Sequence, residues 1–407
     1  MRTVHRWVAL AAGAATVAAA MTTAPASFAA TGTGVSVLVA CSNAPLWAEG
    51  TAYPVGARVI YNGRLYEALV AHTPPPGAGW TPVAAASIWR DLGACDGDTP
   101  PPPPTTPPTG PPPPATAGLA TAPYVDMGAW PTPTLSTMVS SGNLKNVTLA
   151  FITASACKAM WFNAYDPRAG WAKDQIDAVR ARGGDVKISF GGATGIELAQ
   201  ACTSVAALQA EYQAVVSAYN LKYIDLDIEG SATADPTSVN RRSQALAGLQ
   251  RANPGLRVSL TLPVLPEGLT ADGLGVVRSA RDAGVSIDLV NVMAMDYYRA
   301  GDYGDLAVQA ANSTFAQLKS LYPDRTDAQV WRMVGVTPML GQNDDGHVYD
   351  QNDARQLVSF AQGKHLGMLS FWELTRDRNA CTGALYMCTN IPQAPYDFSR
   401  IFAGYTG

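Results

Sequence analysis

Charge is scarce in this sequence: Asp, Glu, Lys and Arg together make up 15% of its 407 residues, against roughly a quarter in ordinary soluble chains. No sign dominates, since 28 Lys plus Arg stand against 32 Asp plus Glu, a formal charge of -4. Without a basic excess there is no face to neutralise a phosphate backbone, which excludes nucleic acid as a partner. Histidine is equally thin, with four residues at 5, 72, 347 and 365, and none of the six Cys sits in a C-x-x-C pair. No structural zinc site, and no other metal or cofactor, is therefore expected. Beyond residue 30 no apolar run approaches the ~20 residues that a membrane-spanning helix needs. Hydrophobic residues are not lacking, at 47%, and that excludes disorder throughout.

The length is comfortable for two domains. Arg2, His5 and Arg6 precede an Ala/Val-rich run over 7–21, and Ser27-Phe28-Ala29 fits a small-x-small cleavage site. Residues 1–29 thus read as a secretory signal peptide rather than an anchor, the apolar run being too short to span. Export places the six Cys in an oxidising compartment, where they read as disulfides. Cys41 and Cys95 bracket one compact segment and are expected to pair. Cys157 with Cys202, and Cys381 with Cys388, are the remaining expected pairs, although spacing alone does not determine connectivity. Between 100 and 114, eleven of fifteen residues are Pro. Such a stretch suits a polyproline II spacer of roughly 45 Å at ~3.1 Å per residue. The expected organisation is a small module at 41–95, a linker at 96–118 and a large domain at 119–407.

The small module carries Trp47, Tyr53, Tyr61, Tyr66, Trp80 and Trp89 with few charges. Val59-Ile60-Tyr61 and Leu65-Tyr66-Glu67 flank Asn62-Gly63, whose tolerance of positive φ suits a tight hairpin turn. Most of these rings belong to a core, but six exceed what so small a core requires, and exposed rings suit the apolar faces of pyranose sugars. Trp47, Tyr53, Gly56, Val59, Tyr61-Asn62-Gly63, Tyr66-Glu67-Ala68, Ala71-His72-Thr73, Gly79-Trp80-Thr81-Pro82 and Ile88-Trp89 resemble the family 5/12 carbohydrate-binding modules. The resemblance implies an all-β chitin-binding module, with Trp47, Trp80 and Tyr66 as candidate contact rings.

In the large domain, short apolar runs alternate with helical patterns. Strands are expected near 124–127, 147–152, 186–190, 223–228, 257–262, 289–295, 333–337 and 367–371, with helices such as 172–182, 205–219, 238–251 and 353–364 between them. Eight βα units in about 290 residues point to a (β/α)8 TIM barrel, which takes ~250. A doubly wound sheet is the alternative, but no G-x-G-x-x-G follows the first strand.

The fourth strand reads Tyr223-Ile224-Asp225-Leu226-Asp227-Ile228-Glu229. Alternation puts Asp225, Asp227 and Glu229 on one face and the aliphatic residues on the other. In a barrel the acids then face inward, ~6.6 Å apart along the backbone, and their mutual repulsion should leave one protonated at neutral pH. Glu229 ends the strand on the side where barrel enzymes keep their chemistry, and a protonated carboxyl there suits a general acid. An acidic edge strand or a metal site is the bland alternative. Asp225-Leu226-Asp227-Ile228-Glu229 resembles the D-x-D-x-E core of glycoside hydrolase family 18, the chitinases. Ser189-Phe190-Gly191-Gly192 on strand three, Met293-Ala294-Met295-Asp296-Tyr297 on strand six and Ser370-Phe371-Trp372 on strand eight are similar to that family's other motifs. Two departures stand out: Lys222-Tyr223 replaces the Asp-Gly often found before the core motif, and Met295 stands where the family has a phenolic Tyr, leaving Tyr297 or Tyr298 to supply the hydroxyl.

The resemblance implies a retaining, substrate-assisted mechanism without a protein nucleophile. Glu229 would be general acid/base, Asp227 would orient the substrate's acetamide, and Asp225 would tune Asp227. Asp296 and Tyr297 would contact the acetamido group, Met293 would also bind substrate, and Trp372 would lie beneath the sugar. Trp130, after strand one, is a subsite ring or a core residue. The expected partners are chitin and N-acetylglucosamine oligosaccharides, with no membrane, and the chain is expected to act as a secreted monomer. An endo-β-N-acetylglucosaminidase acting on N-glycans and a non-catalytic chitin-binding lectin are the alternatives. Asn343-Asp344-Asp345-Gly346 reads as a polar turn, because Ala354 stands at the twelfth position where a calcium loop needs Glu.

Overall fold

The computed structural model describes residues 39–41, 44–48, 50–61, 64–74, 81–83, 85, 88–95 and 118–407. The expected signal peptide, the Pro-rich spacer at 100–114, the Asn62-Gly63 turn and Trp80 lie outside them. The chain divides into two compact units, Met1–Pro104 and Thr105–Gly407, each taken by itself below.

In the first unit Arg58–Tyr61, Arg64–Ala68 and Trp89–Ala94 form a three-stranded antiparallel sheet. Arg58 pairs with Glu67 and Tyr61 with Arg64. A mini-core of Tyr53, Val59, Tyr66, Ala68 and Trp89 fills one side, and the Cys41–Cys95 bridge closes the segment. Tyr66 is a correction to the sequence reading. It pairs directly across from Val59 and is 4% exposed, so its ring supports the sheet and presents no face to a sugar. Trp47 is partly buried against the same core, edge-on to Tyr61 at 5.4 Å.

The second unit is a barrel. Among the described residues, eight parallel strands follow one another in chain order: Tyr124–Asp126, Val147–Ala154, Val186–Gly191, Tyr223–Asp227, Arg257–Leu265, Ile287–Ala294, Val334–Pro338 and Met368–Leu369. Thr121 bridges to Leu369 in parallel and the Tyr124 N–H donates to the Phe371 carbonyl, which closes the sheet on itself. Helices cover the outside, among them Lys173–Ala181, Val205–Tyr219, Pro236–Ala252, Ala271–Asp282, Tyr303–Leu321 and Gln351–Lys364. Strands three, four and seven are buried along their whole length, as parallel strands covered on both faces must be. Cys157 joins Cys202 and Cys381 joins Cys388.

The aliphatic half of strand four faces the helices, with Ile224, Leu226 and Ile228 in the main apolar core. The barrel interior is polar instead. Lys187, Ser189, Asp225, Ser259, Thr261, Asn291 and Thr337 are all buried there. They bond in series: Lys187 Nζ to Ser259 at 3.1 Å, Asn291 to Thr261 at 3.1 Å and Thr337 to Asn291 at 2.9 Å. Buried polar groups are tolerable only when they satisfy one another. This column does so, and it ends on Asp225.

Candidate active site

Each member of the acidic strand meets a different environment. Asp225 is enclosed by hydroxyls: Ser189 Oγ donates at 2.8 Å, Tyr124 at 2.9 Å and Thr261 at 2.9 Å, with Ser259 also donating. Asp227, two residues higher, is buried, and its Oδ1 has no partner. Burial, then the charges of Glu229 and Asp225, push its pKa well above the ordinary carboxylate value. Strand four ends at Asp227, slightly earlier than its pattern suggested. Pairing persists for one more bond, from the Ile228 N–H to the Thr261 carbonyl at 3.0 Å, so Glu229 still emerges at the C-terminal mouth. Burial first, and the charge of Asp296 second, raise the Glu229 pKa.

These groups line a cavity of about 180 Å³. Asp227, Glu229, Met293, Asp296 and Trp372 line it together with Tyr124, Phe151, Thr261, Met295 and Asp344. Trp372 stacks on Phe151 with centroids 5.6 Å apart and planes 17° from parallel, making a flat wall. Glycine at strand three permits this closeness. A Cβ on Gly191 would stand 2.0 Å from the Asp227 carbonyl oxygen, and one on Gly192 would stand 2.7 Å from the Phe151 ring.

The strand-six residues depart from the expected arrangement. Strict alternation would set Asp296 opposite Met293 and Met295, yet all three line the cavity. The strand stops at Ala294 and Asp296 takes φ 50°, a left-handed conformation that Asp tolerates better than most residues, which turns its carboxylate back to the mouth. Its Oδ1 accepts the N–H groups of Asp344 at 2.8 Å and Asp345 at 3.3 Å. Burial and the Asp344 charge raise the Asp296 pKa. Tyr297 is then carried into the core against Tyr303, at 5.3 Å, and Tyr298 is exposed. Neither phenol is among the cavity residues. The phenol in the cavity is that of Tyr124 on strand one.

Trp130 is 86% exposed, which excludes the core alternative, and it is not one of the cavity residues. Residues 343–346 are more than a turn, since they clamp the Asp296 segment: Asn343 Oδ1 accepts the Asp296 N–H at 3.3 Å and Asp345 accepts that of Tyr298 at 2.9 Å. Tyr124 and Thr261 were open to discovery by inward parity on their strands. Phe151 was not, because it sits in an apolar run with no distinguishing neighbour.

A larger hollow of about 870 Å³ lies at the opposite end of the barrel, beside Arg257, Ile287 and Met333. It touches the N-terminal ends of strands, where conserved barrel chemistry is not found, and its one carboxylate, Asp288, is paired with Arg257. Size therefore does not identify the site; the acid cluster does. Among the described residues no group of three or more His, Cys, Asp or Glu is placed to hold a metal. No described helix is long and apolar enough to cross a membrane.

Comparison with known proteins adds to this geometry. Residues 46–90 match the carbohydrate-binding module family 5/12. Over 306 residues the chain is 37% identical to the Probable bifunctional chitinase/lysozyme of Escherichia coli strain K12, covering 70% of this chain and 34% of that protein. Over 279 residues it is 36% identical to Endochitinase 11 of Metarhizium anisopliae, covering 65% of this chain and 53% of that one. The chain thus spans about a third and about a half of these curated relatives. The solved catalytic domain of a hyperthermophilic chitinase from Pyrococcus furiosus is 33% identical, with a TM-score of 0.66, covering 71% of this chain and 96% of that domain.

Proposed function

The chain belongs to the glycoside hydrolase family 18 chitinases, and we propose that it cleaves the β-1,4-N-acetylglucosamine linkages of chitin with retention, Glu229 acting as general acid/base. The single observation that carries the reading is the Asp227 oxygen. A buried carboxylate oxygen without a donor is costly, and this one lies on the wall of the cavity beside Glu229. The N–H of a sugar's 2-acetamido group is the donor it lacks. Asp225 offers no such opening, because hydroxyls occupy it.

With its N–H held by Asp227, the acetamido group turns its carbonyl oxygen toward C1. An ordinary retaining glycosidase places a second carboxylate ~5–5.5 Å from the acid, across the sugar. Here the acids on strand four share one side, and Asp296 is tied to the backbone of Asp344 and Asp345. With the acetamide N–H held by Asp227, the substrate's own oxygen serves as nucleophile in this reading, giving an oxazolinium. Glu229 protonates the leaving oxygen and then activates water. Its raised pKa keeps it protonated further toward neutral pH, and activity falls as pH rises through that value. Asp227 offsets the charge on the ring nitrogen, and the Trp372–Phe151 wall receives the sugar's apolar face. Three disulfides suit an oxidising compartment, which supports action outside the cell.

Glu229→Gln tests the assignment. Turnover of an N-acetylglucosamine hexamer should fall by about 10²–10⁴-fold, with hexamer binding retained. Undiminished turnover would remove Glu229 from its role, while a wild-type chain that binds the hexamer without cutting it would be a lectin.

A further inference from the structure

Lysine suits a closed interior poorly, because an ammonium taken out of water costs stability unless its charge is needed there. Lys187 is nevertheless only 4% exposed, near the base of strand three inside the barrel. Ser189 and Gly191, two and four residues on, share its inward parity. Its Nζ donates to Ser259 Oγ at 3.1 Å and meets Met368 Sδ at 3.4 Å, and among the described residues no carboxylate is paired with it. Ser259 stands opposite Asp225 on the next strand, and its hydroxyl donates to that carboxylate. One hydroxyl thus separates the buried cation from the lowest of the three acids.

The surroundings give that hydroxyl a direction. An ammonium only donates and a hydroxyl has one proton, so Ser259 accepts from Lys187 and turns its proton to the carboxylate. Thr261 is held in the same sense: Asn291 Nδ2 donates to it at 3.1 Å, and its hydroxyl donates to Asp225 at 2.9 Å. Ser189 and Tyr124 donate as well, so Asp225 is surrounded by donors and needs no proton of its own. Asp227 is the opposite case, with a buried oxygen that lacks a partner. The charges around Lys187 come from three strands. Burial lowers its pKa, Asp225 and then Asp288 hold it up, and Arg257 acts against them. Tyr223 and Arg332 share with it the lining of a hollow of about 300 Å³.

We propose that Lys187 is a positioning residue for the acids: through Ser259 it keeps Asp225 the ionised acceptor, so that the proton shared by the three carboxyls stays with Asp227 and Glu229. The proposal rests on the chitinase reading above, and one arm of its test needs no turnover. Removing a positive charge favours the protonated form of every acid near it. In the full chain carrying Lys187→Met, both limbs of the pH profile of kcat/KM on an N-acetylglucosamine hexamer should therefore move to higher pH, by about one unit. The second arm follows the carboxyl carbons by NMR in protein labelled at Asp, with Asp225 assigned by the loss of its signal in Asp225→Asn. In the parent that signal should stay level through the range in which Asp227 titrates, and in Lys187→Met it should move with pH. Ser259→Ala cuts the same link and should shift both readouts in the same direction, which decides the question if Lys187→Met does not fold. Limbs and an Asp225 signal that stay where the parent has them, with or without a uniform loss of rate, would leave Lys187 a structural role and overturn the proposal. A parent that leaves the hexamer uncut would remove the chitinase reading, and the Asp225 signal would still decide this one.

Discussion

At Gly192, φ is 91° and an added Cβ would stand 2.7 Å from the ring of Phe151. An alanine there meets a strained backbone and a clash at once, and Phe151 cannot yield without disturbing Trp372, stacked on its face. Gly192→Ala should therefore cost about 1–3 kcal/mol of stability and lower kcat/KM on a soluble oligomer. Calorimetric unfolding and initial rates check the two effects; unaltered rates would show that the wall is not held in place by this contact. The Gly-Gly pair was legible in the sequence as a motif, but its reason was not, since the ring it makes room for comes from another strand. Met295, Asp296 and Tyr297 show the opposite failure. Counting alternate faces assumes extended backbone, and a single left-handed Asp296 sends its own carboxylate into the cavity and Tyr297 into the core. Nothing in the local residue types distinguishes that turn from one more strand position.

Strand eight and the helix after it show what an element adds. Residues 367–371 read as a strand, yet the ladder covers only Met368–Leu369. Beyond it the chain keeps single bonds, such as the Trp372 N–H to the Pro338 carbonyl at 2.8 Å, and turns into the helix Leu374–Asn379. The buried Glu373 caps that helix, accepting the N–H groups of Thr375 at 2.8 Å and Arg376 at 3.0 Å. Those bonds favour the carboxylate, but burial, assisted by the Asp126 charge, wins and pushes its pKa from 4.5 up to about 7. A carboxyl raised on folding binds more proton in the native state than in the unfolded one between those two values. Its contribution is full below about pH 4.5 and is lost as pH rises toward 7. Glu373→Gln removes the titration and keeps an acceptor for the cap. Relative to wild type its Tm should climb between about pH 4.5 and 7 and stay level above. Parallel Tm profiles would show that Glu373 does not titrate in this window. The longer elements were legible to within two or three residues, and Val205–Tyr219 was read as it stands, because fully buried parallel strands and long helices leave periodic apolar patterns. Short elements fixed by side-chain caps leave none.

The whole molecule divides into two compact units, each with its own apolar core, the first holding one disulfide and the second two. The surface charges of the small module largely pair among themselves, Arg58 with Glu67 at 3.3 Å, Arg90 with Glu67 at 3.7 Å and Arg64 with Asp91 at 2.8 Å. Such a surface projects little field, which suits a neutral polymer and gives no steering toward a charged one. Which rings lie inside was the part composition could not tell: Tyr66 and Trp47 look alike as letters, and the pairing of Tyr66 with Val59 goes with a buried ring. If the module holds the barrel against solid chitin, it acts by raising the local concentration of substrate, and a dissolved oligomer has no use for it. Deleting residues 30–98 should then lower the release of soluble sugar from insoluble chitin about tenfold, while hexamer turnover stays within about a factor of two. The barrel keeps its own apolar core and two disulfides, and the truncated barrel should unfold at the temperature of the full chain. An equal loss on both substrates, with that unfolding temperature retained, would show that the module serves catalysis itself and not the capture of a surface.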